Sequence, residues 1–393
     1  MAKPKITLLP EPKQGQVVTF QMLAPPRKDK PAVGQFSVLL RIKNGEPAPI
    51  VLTSVRFEVF PTSTGQPQVM SNPVLIRIPP GGTGLWHNKV FTAETKHTGL
   101  PDNVPINQNM LVPPEANIVH IKLEFRDFDE TVNKLYALRP HQSPTPKGAY
   151  QFPAKKADLR ENECWNGSGA NHAQSHDGCQ LFGLDLGVSG WDKGSKTWSH
   201  LLPGGDEERN EDHRIWRKPV YAMADGVVRG RRWDFPGNAV PSGTLTAEIN
   251  AMIKAVGDGN GNFVTIRTDR ELHLYAHLIE GSIPQRLRTV GAAVKKGDLL
   301  GAAGNSGSSS APHLHIDVRS SVLLGLTQPG QPPRLVHILR PMPFVDMHSI
   351  HSREMRGGFK PDAPWFKHSS GHGLCLAAWP ERCLIWPSRS LAN

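Results

Sequence analysis

Residues 308–318 read SSSAPHLHIDV, and this run decides how the second half of the chain is read. In an extended chain residues i and i+2 share a face, so His313 and His315 point one way while Leu314 and Ile316 point the other. An imidazole withdrawn from water costs free energy unless something binds its nitrogens. Two of them on one face of an apolar strand therefore point to a metal, a proton-transfer site or both. Taken alone, H-x-H fits a half-exposed strand equally well.

The surrounding segments favour the chemical reading. Short strands are expected at LFGLDLGV, PVYAMADGVVRG, GNFVTIRT, HLYAHL and GAAVKKGDLLGAAG, with a helix over Leu245–Val256 between them. Asp185 lies between Leu184 and Leu186 in the first of these. A carboxylate there needs a cation, a metal or a turn to cap, because an isolated buried charge is too costly. His277 closes HLYAHL at a strand end. Asp185, His277 and the H-x-H pair on three strand ends offer the nitrogen and oxygen ligands that suit Zn2+ with one position left open.

The order PVYAMADGVV, GNFVTI, LYAHL, VGAAVKKGDLLGAAGNSG, APHLHIDV resembles the lysostaphin/LytM-type zinc metalloendopeptidases over roughly residues 176–320. The resemblance implies an antiparallel β catalytic domain, a zinc cofactor, and hydrolysis of peptide bonds in the cross-links or stem peptides of bacterial peptidoglycan. It implies Asp185 and His315 as metal ligands, with His277 and His313 assisting catalysis. The usual H-x-x-x-D spacing would need a histidine at position 181, where this chain has Leu181. His176, nine residues before Asp185 in SHDGCQLFGLD, is the expected third ligand, because the turn at Gly178 lets it fold back. His172 is the runner-up, with His200 and His213 behind it. The segment VKKGDLLG also resembles the hairpin of lipoyl carrier domains, but no modifiable lysine occupies a tight turn. The rivals are an inactive lysostaphin-type binding or regulatory protein, and a metallopeptidase acting on another protein substrate.

Residues 1–139 carry a different pattern. FSVLLRI, VRFEVF and VHIKLEF alternate apolar and polar residues with period two, as in antiparallel strands packed by one face. An immunoglobulin-like β-sandwich is expected, with a docking or orienting role, since no titratable cluster occurs in it. The Pro- and Lys-rich run 140–160 reads as a linker, 161–322 as the metallopeptidase domain with long inserted loops at 189–218 and 233–260, and 323–393 as a C-terminal extension. The whole is mainly β.

The 393 residues suffice for two or three domains, and 37 Gly with 36 Pro favour strands and turns. No apolar run reaches membrane-span length, so no membrane span is expected. Net charge is +10, yet no helix-turn-helix, zinc-finger spacing or basic tract with interleaved aromatics occurs, and no nucleic-acid partner is expected. The oligomeric state is not readable. No export signal is visible, whereas the resemblance implies an extracytoplasmic, secreted or periplasmic, site of action. The four cysteines could pair locally as Cys164–Cys179 and Cys375–Cys383, or stay as buried thiols.

Overall fold

Period-two alternation in the first 140 residues becomes strands. They are β1 (Ile6–Glu11), β2 (Lys13–Gln14), β3 (Val17–Leu23), β4 (Val33–Phe36), β5 (Leu39–Asn44), β6 (Ile50–Phe60), β7 (Gln68–Ile78), β8 (Thr83–His87), β9 (Met110–Val112), β10 (Ile118–Phe125) and β11 (Val132–Pro140). This computed structural model describes residues 3–23, 33–36, 38–61, 66–87, 110–142, 150–160, 163–168, 182–192, 197–241, 244–269, 271–326, 334–342, 344, 347–351 and 382–387. One sheet runs β1–β5–β8 and the other β7–β6–β10–β11–β3–β4–β9, with β2 beside β3. Val55, Phe57 and Val59 of β6 stand opposite Leu123, Ile121 and Val119 of β10. These residues meet Leu40 and Ile42 of β5 in one core shared by both sheets. Fully burying a side chain of this size contributes about 1.5–3 kcal/mol. The outer face of the same strands is ionic: Glu58 takes Lys122 at 2.8 Å and Arg56 at 3.0 Å.

The second half forms β12 (Glu163–Ser168), β13 (Leu184–Asp192), β14 (Thr197–Ser199), β15 (Pro219–Tyr221), β16 (Gly226–Arg232), β17 (Asn262–Arg267), β18 (Glu271–Leu278), β19 (Ala293–Val294), β20 (Leu299–Ala302), β21 (Leu314–Leu326), β22 (Arg334–Arg340), β23 (Met347–His351) and β24 (Arg382–Pro387). They order as β19–β16–β17–β18–β21–β13–β12–β24–β23, with β14 on β13, β22 on β21, and β15 paired separately with β20. The expected helix runs Ala247–Val256; the Thr246 hydroxyl caps it by accepting from Ile249, and Gly257 at φ 73° ends it.

A second core underlies this sheet. It takes Tyr150, Phe152 and Ala154 from the segment read as linker, and Met342 and Phe344 from the segment read as extension. Phe152 packs edge-on against Trp165 and Phe344, with ring centroids 6.1 and 5.4 Å away. Tyr150 donates its hydroxyl hydrogen to buried Glu271 and lies edge-on to His273. Glu163, with no exposed surface, is neutralised by Arg214 and Lys218, each at 3.0 Å, which pins the first inserted loop to β12. Arg340 of β22 reaches Glu11 of β1 at 3.4 Å. Among the described residues no helix is long and apolar enough to cross a membrane.

Candidate active site

Three adjacent strands build the site. Asp185 on β13 stands opposite His315 on β21, which in turn stands opposite Ala276 on β18. The next row, Leu184, Ile316 and Tyr275, faces the core. Opposed residues share a face, so the apolar alternation places Asp185 and His315 together on the other side of the sheet.

On a regular strand His277 would follow Tyr275 into the core. Instead the β17–β18 register shifts between Asn262 and Val264, and His277 takes a left-handed φ of 63° with its N–H bonded to the Asn260 carbonyl at 3.0 Å. That backbone state costs a non-glycine residue about 1–3 kcal/mol and persists only where its surroundings enforce it. Its effect is to re-aim the ring. His277 lies 4.6 Å from His313 and 6.0 Å from His315, centroid to centroid.

Each of the three rings has one nitrogen engaged away from the others. His277 Nδ1 donates to the Ser306 carbonyl at 2.7 Å. His313 Nδ1 donates to the Ala311 carbonyl at 2.8 Å. His315 Nε2 lies 3.1 Å from Asp317 Oδ2. A carbonyl or carboxylate only accepts, so these nitrogens carry hydrogen, and in the neutral ring the other nitrogen keeps its lone pair. The nitrogens that converge are therefore His277 Nε2, His313 Nε2 and His315 Nδ1. Asp185 Oδ1 sits 3.3 Å from His313 Nε2 and 3.2 Å from His315 Nδ1.

The electrostatics divide the rings. Burial, then the neighbouring His313 and His315, push the His277 pKa well below its ordinary value, so this ring is neutral. Burial also opposes charge on His313, but Asp185 outweighs it and raises that ring's pKa. For His315 burial is again outweighed, here by hydrogen bonds to Asp185 and Asp317, and its pKa rises to about 9. Asp317 is fully buried, yet Arg319, held by two bonds of 2.7 Å, and His315 keep it ionised.

The donor set suits a metal of zinc's type. Zn2+ bonds nitrogen and oxygen at about 2.0–2.1 Å, which puts two tetrahedral ligands about 3.3–3.4 Å apart. The separation of Asp185 Oδ1 from His315 Nδ1, 3.2 Å, matches that edge. A carboxylate on the far nitrogen of a ligating histidine is also the usual support for such a ligand, and Asp317 occupies that position. Among the described residues no group of three or more His, Cys, Asp or Glu is arranged to hold a metal. His176, His172 and Leu181 lie outside the described residues. His200 and His213 face one another in the first inserted loop, centroids 5.2 Å apart, and His213 Nε2 contacts the Glu207 carbonyl.

The sequence reading missed Asp317 and Arg319. The signal was present: in HLHIDVR they follow His315 at i+2 and i+4, on its own face of the strand.

Residues 215–325 match the family model described as Peptidase family M23. Over that segment the chain is similar to the family M23 peptidases. The segment holds His277, His313 and His315, while Asp185 precedes it. No curated protein matches the chain. Among solved structures, a variant catalytic domain of the prophage-encoded M23 protein EnpA from Enterococcus faecalis is 20% identical, covering 31% of this chain and 67% of that one, with a TM-score of 0.19. A zinc containing peptidase from Vibrio cholerae is 13% identical over 77% of this chain and 82% of that one, TM-score 0.22. Csd3 from Helicobacter pylori is 14% identical over 80% and 76%, TM-score 0.21.

Proposed function

We propose that this protein is a zinc-dependent endopeptidase that hydrolyses peptide bonds of bacterial peptidoglycan, in cross-links or stem peptides. The observation that carries this reading is the common polarity of the three imidazoles. Each has its outer nitrogen engaged by a carbonyl or carboxylate, which leaves His277 Nε2, His313 Nε2 and His315 Nδ1 to converge beside Asp185.

Asp185 and His315 would hold the zinc, with His176 as the third ligand. A bound zinc ion would polarise the peptide carbonyl and make water acidic enough to attack near neutral pH. His277, kept neutral by its surroundings, accepts the proton of the attacking water at Nε2. His313, whose ring is held towards its charged form by Asp185, donates from Nε2 to the leaving amine. Asp317 keeps the His315 ring in the tautomer and orientation that turn Nδ1 inward.

Peptidoglycan lies outside the cytoplasm, so we place the protein in an extracytoplasmic compartment. Mass analysis without reductant tests this through the Cys164–Cys179 and Cys375–Cys383 pairings; four alkylatable thiols in protein from its native source would count against export.

The functional test is elemental analysis of the purified chain together with digestion of isolated cell walls. Bound zinc and the release of new amino termini are expected. A chain without zinc that stays inert after zinc is added is a binding or regulatory protein. Zinc-dependent cleavage of proteins but not of walls identifies a different peptide substrate.

A further inference from the structure

One loop orients two of the three histidines. The Ser306 carbonyl accepts from His277 Nδ1, and the Ala311 carbonyl accepts from His313 Nδ1. Ser309 Oγ adds to the second contact, lying 3.2 Å from His313 Nδ1 while donating to the same Ala311 carbonyl. The aim of both rings is therefore no better defined than the backbone of residues 304–311.

That backbone is held by three buried asparagines, Asn305 within the loop and Asn210 and Asn238 from outside it. Asn238, in the second inserted loop, donates its backbone N–H to the Asn305 carbonyl at 2.7 Å. Its side-chain Nδ2 faces Asn305 Oδ1 at 3.2 Å, the Gly307 carbonyl at 3.1 Å and the Ser309 carbonyl at 2.8 Å. Asn210, in the first inserted loop, accepts from Asn305 Nδ2 at 2.9 Å and donates to the Asn238 carbonyl at 2.7 Å. Asn210 and Asn238 are each 7% exposed and Asn305 is 1% exposed, so these bonds compete little with water.

The fit leaves no slack. A Cβ on Gly261 would stand 2.4 Å from Ser306, and one on Gly307 would stand 2.3 Å from the Gly261 nitrogen. Asn238 Oδ1 is buried without a hydrogen-bond partner. The working part of this side chain is its amide donor, which faces three acceptors of the loop.

We propose that Asn238, supported by Asn210 through Asn305, is a positioning residue for catalysis. Its amide holds the 304–311 loop so that the loop's carbonyls set the rotamer and tautomer of His277 and His313. The two inserted loops thereby become part of the catalytic framework. This rests on the peptidase reading for its catalytic consequence, but the geometric claim stands on its own.

The test compares Asn238→Asp, which keeps the shape and removes the donor, with Asn238→Ala, in the zinc-loaded full chain. Asn250→Ala, on the exposed helix of the same insertion, is the control. Misplacing a reacting group by about 1 Å can cost 10²-fold in rate. Both Asn238 variants should lower kcat by about 10–100-fold with KM within about twofold and zinc content unchanged. With histidine-selective 15N labelling, the slowly exchanging Nδ1–H signal of His277 should broaden or vanish in both, and persist in Asn250→Ala. If kcat and that signal are unchanged, or only the melting temperature falls, the positioning role is wrong. If the unmutated chain cleaves nothing, the peptidase reading fails and the His277 signal alone decides: its persistence in Asn238→Asp overturns the geometric claim. Should Asn238→Asp not fold, Asn210→Ala takes its place with the same readouts.

Discussion

Replacing Asp317 by Asn tests whether the His315 ring is held for a metal. Asp317 has no exposed surface and serves three donors: His315 Nε2 at 3.1 Å, Arg319 Nε at 2.7 Å and Arg319 Nη2 at 2.7 Å. The first and third share Oδ2, while the second uses Oδ1. Asparagine offers one oxygen, so its NH2 group must face a donor on whichever side it is turned. Breaking a buried ion pair by removing one partner costs about 3–5 kcal/mol. The Arg319 side chain is 25% exposed and recovers some hydration, so a loss of about 3 kcal/mol is expected for the metal-free protein. The metal effect is separate: disturbing the carboxylate behind a ligating histidine weakens zinc binding by about 10–100-fold. Urea unfolding in the presence of chelator reads the first quantity, and competition against a chromophoric chelator reads the second. A variant that loses stability but binds zinc within about twofold of the parent would refute the orienting role and leave Asp317 as a structural partner of Arg319.

His315→Ala should lose zinc and activity together, whereas His277→Ala should keep zinc while turnover drops by about two to four decades; elemental analysis and peptidase rates on the same samples read both. His176→Ala should behave like His315→Ala and His172→Ala like the parent, and the reverse result would make His172 the ligand. In metal-free protein the folded pKa of His315, about 9, exceeds the ordinary histidine value of 6.5. Its contribution, up to about 3 kcal/mol, is therefore complete below pH about 6.5 and lost as pH rises towards 9. Urea midpoints at pH 6 and pH 9 in chelator should show this fall, and zinc should reduce it by taking the proton's place. A fragment beginning at Gly148 should hydrolyse a small soluble peptide at close to the full-length rate. One beginning at Gln151 lacks the Tyr150 hydroxyl that satisfies buried Glu271 and should unfold at lower urea.

Alternation was a sound guide where one side of a strand meets a core. Val119, Ile121, Leu123 and Phe125 are buried as their spacing predicts, and the pairing of Asp185 with His315 follows from two strands that each present an apolar row inward. The turn of His277 away from the core and towards the site was not legible, because it depends on a register shift against β17 and on a carbonyl from Asn260. Neither can be inferred from HLYAHL itself. Tyr150, in a Pro- and Lys-rich stretch, is buried because Glu271 and His273 lie over a hundred residues further on and need a partner in the core. Asp317 and Arg319 were both legible by spacing, since they follow His315 at i+2 and i+4 on one face of the strand.

The left-handed backbone at His277 also sets what kind of sequence change this domain tolerates. Glycine there would relieve the conformation at little steric cost, and β-branched residues would aggravate it. Selection for stability alone therefore pulls this position towards glycine, and selection for hydrolysis pulls it back. A relative that had given up catalysis would be free to drift in the first direction, gaining on the order of 1 kcal/mol as it did so. The identity of the residue at this one bulge would then record whether a lineage still uses its active site.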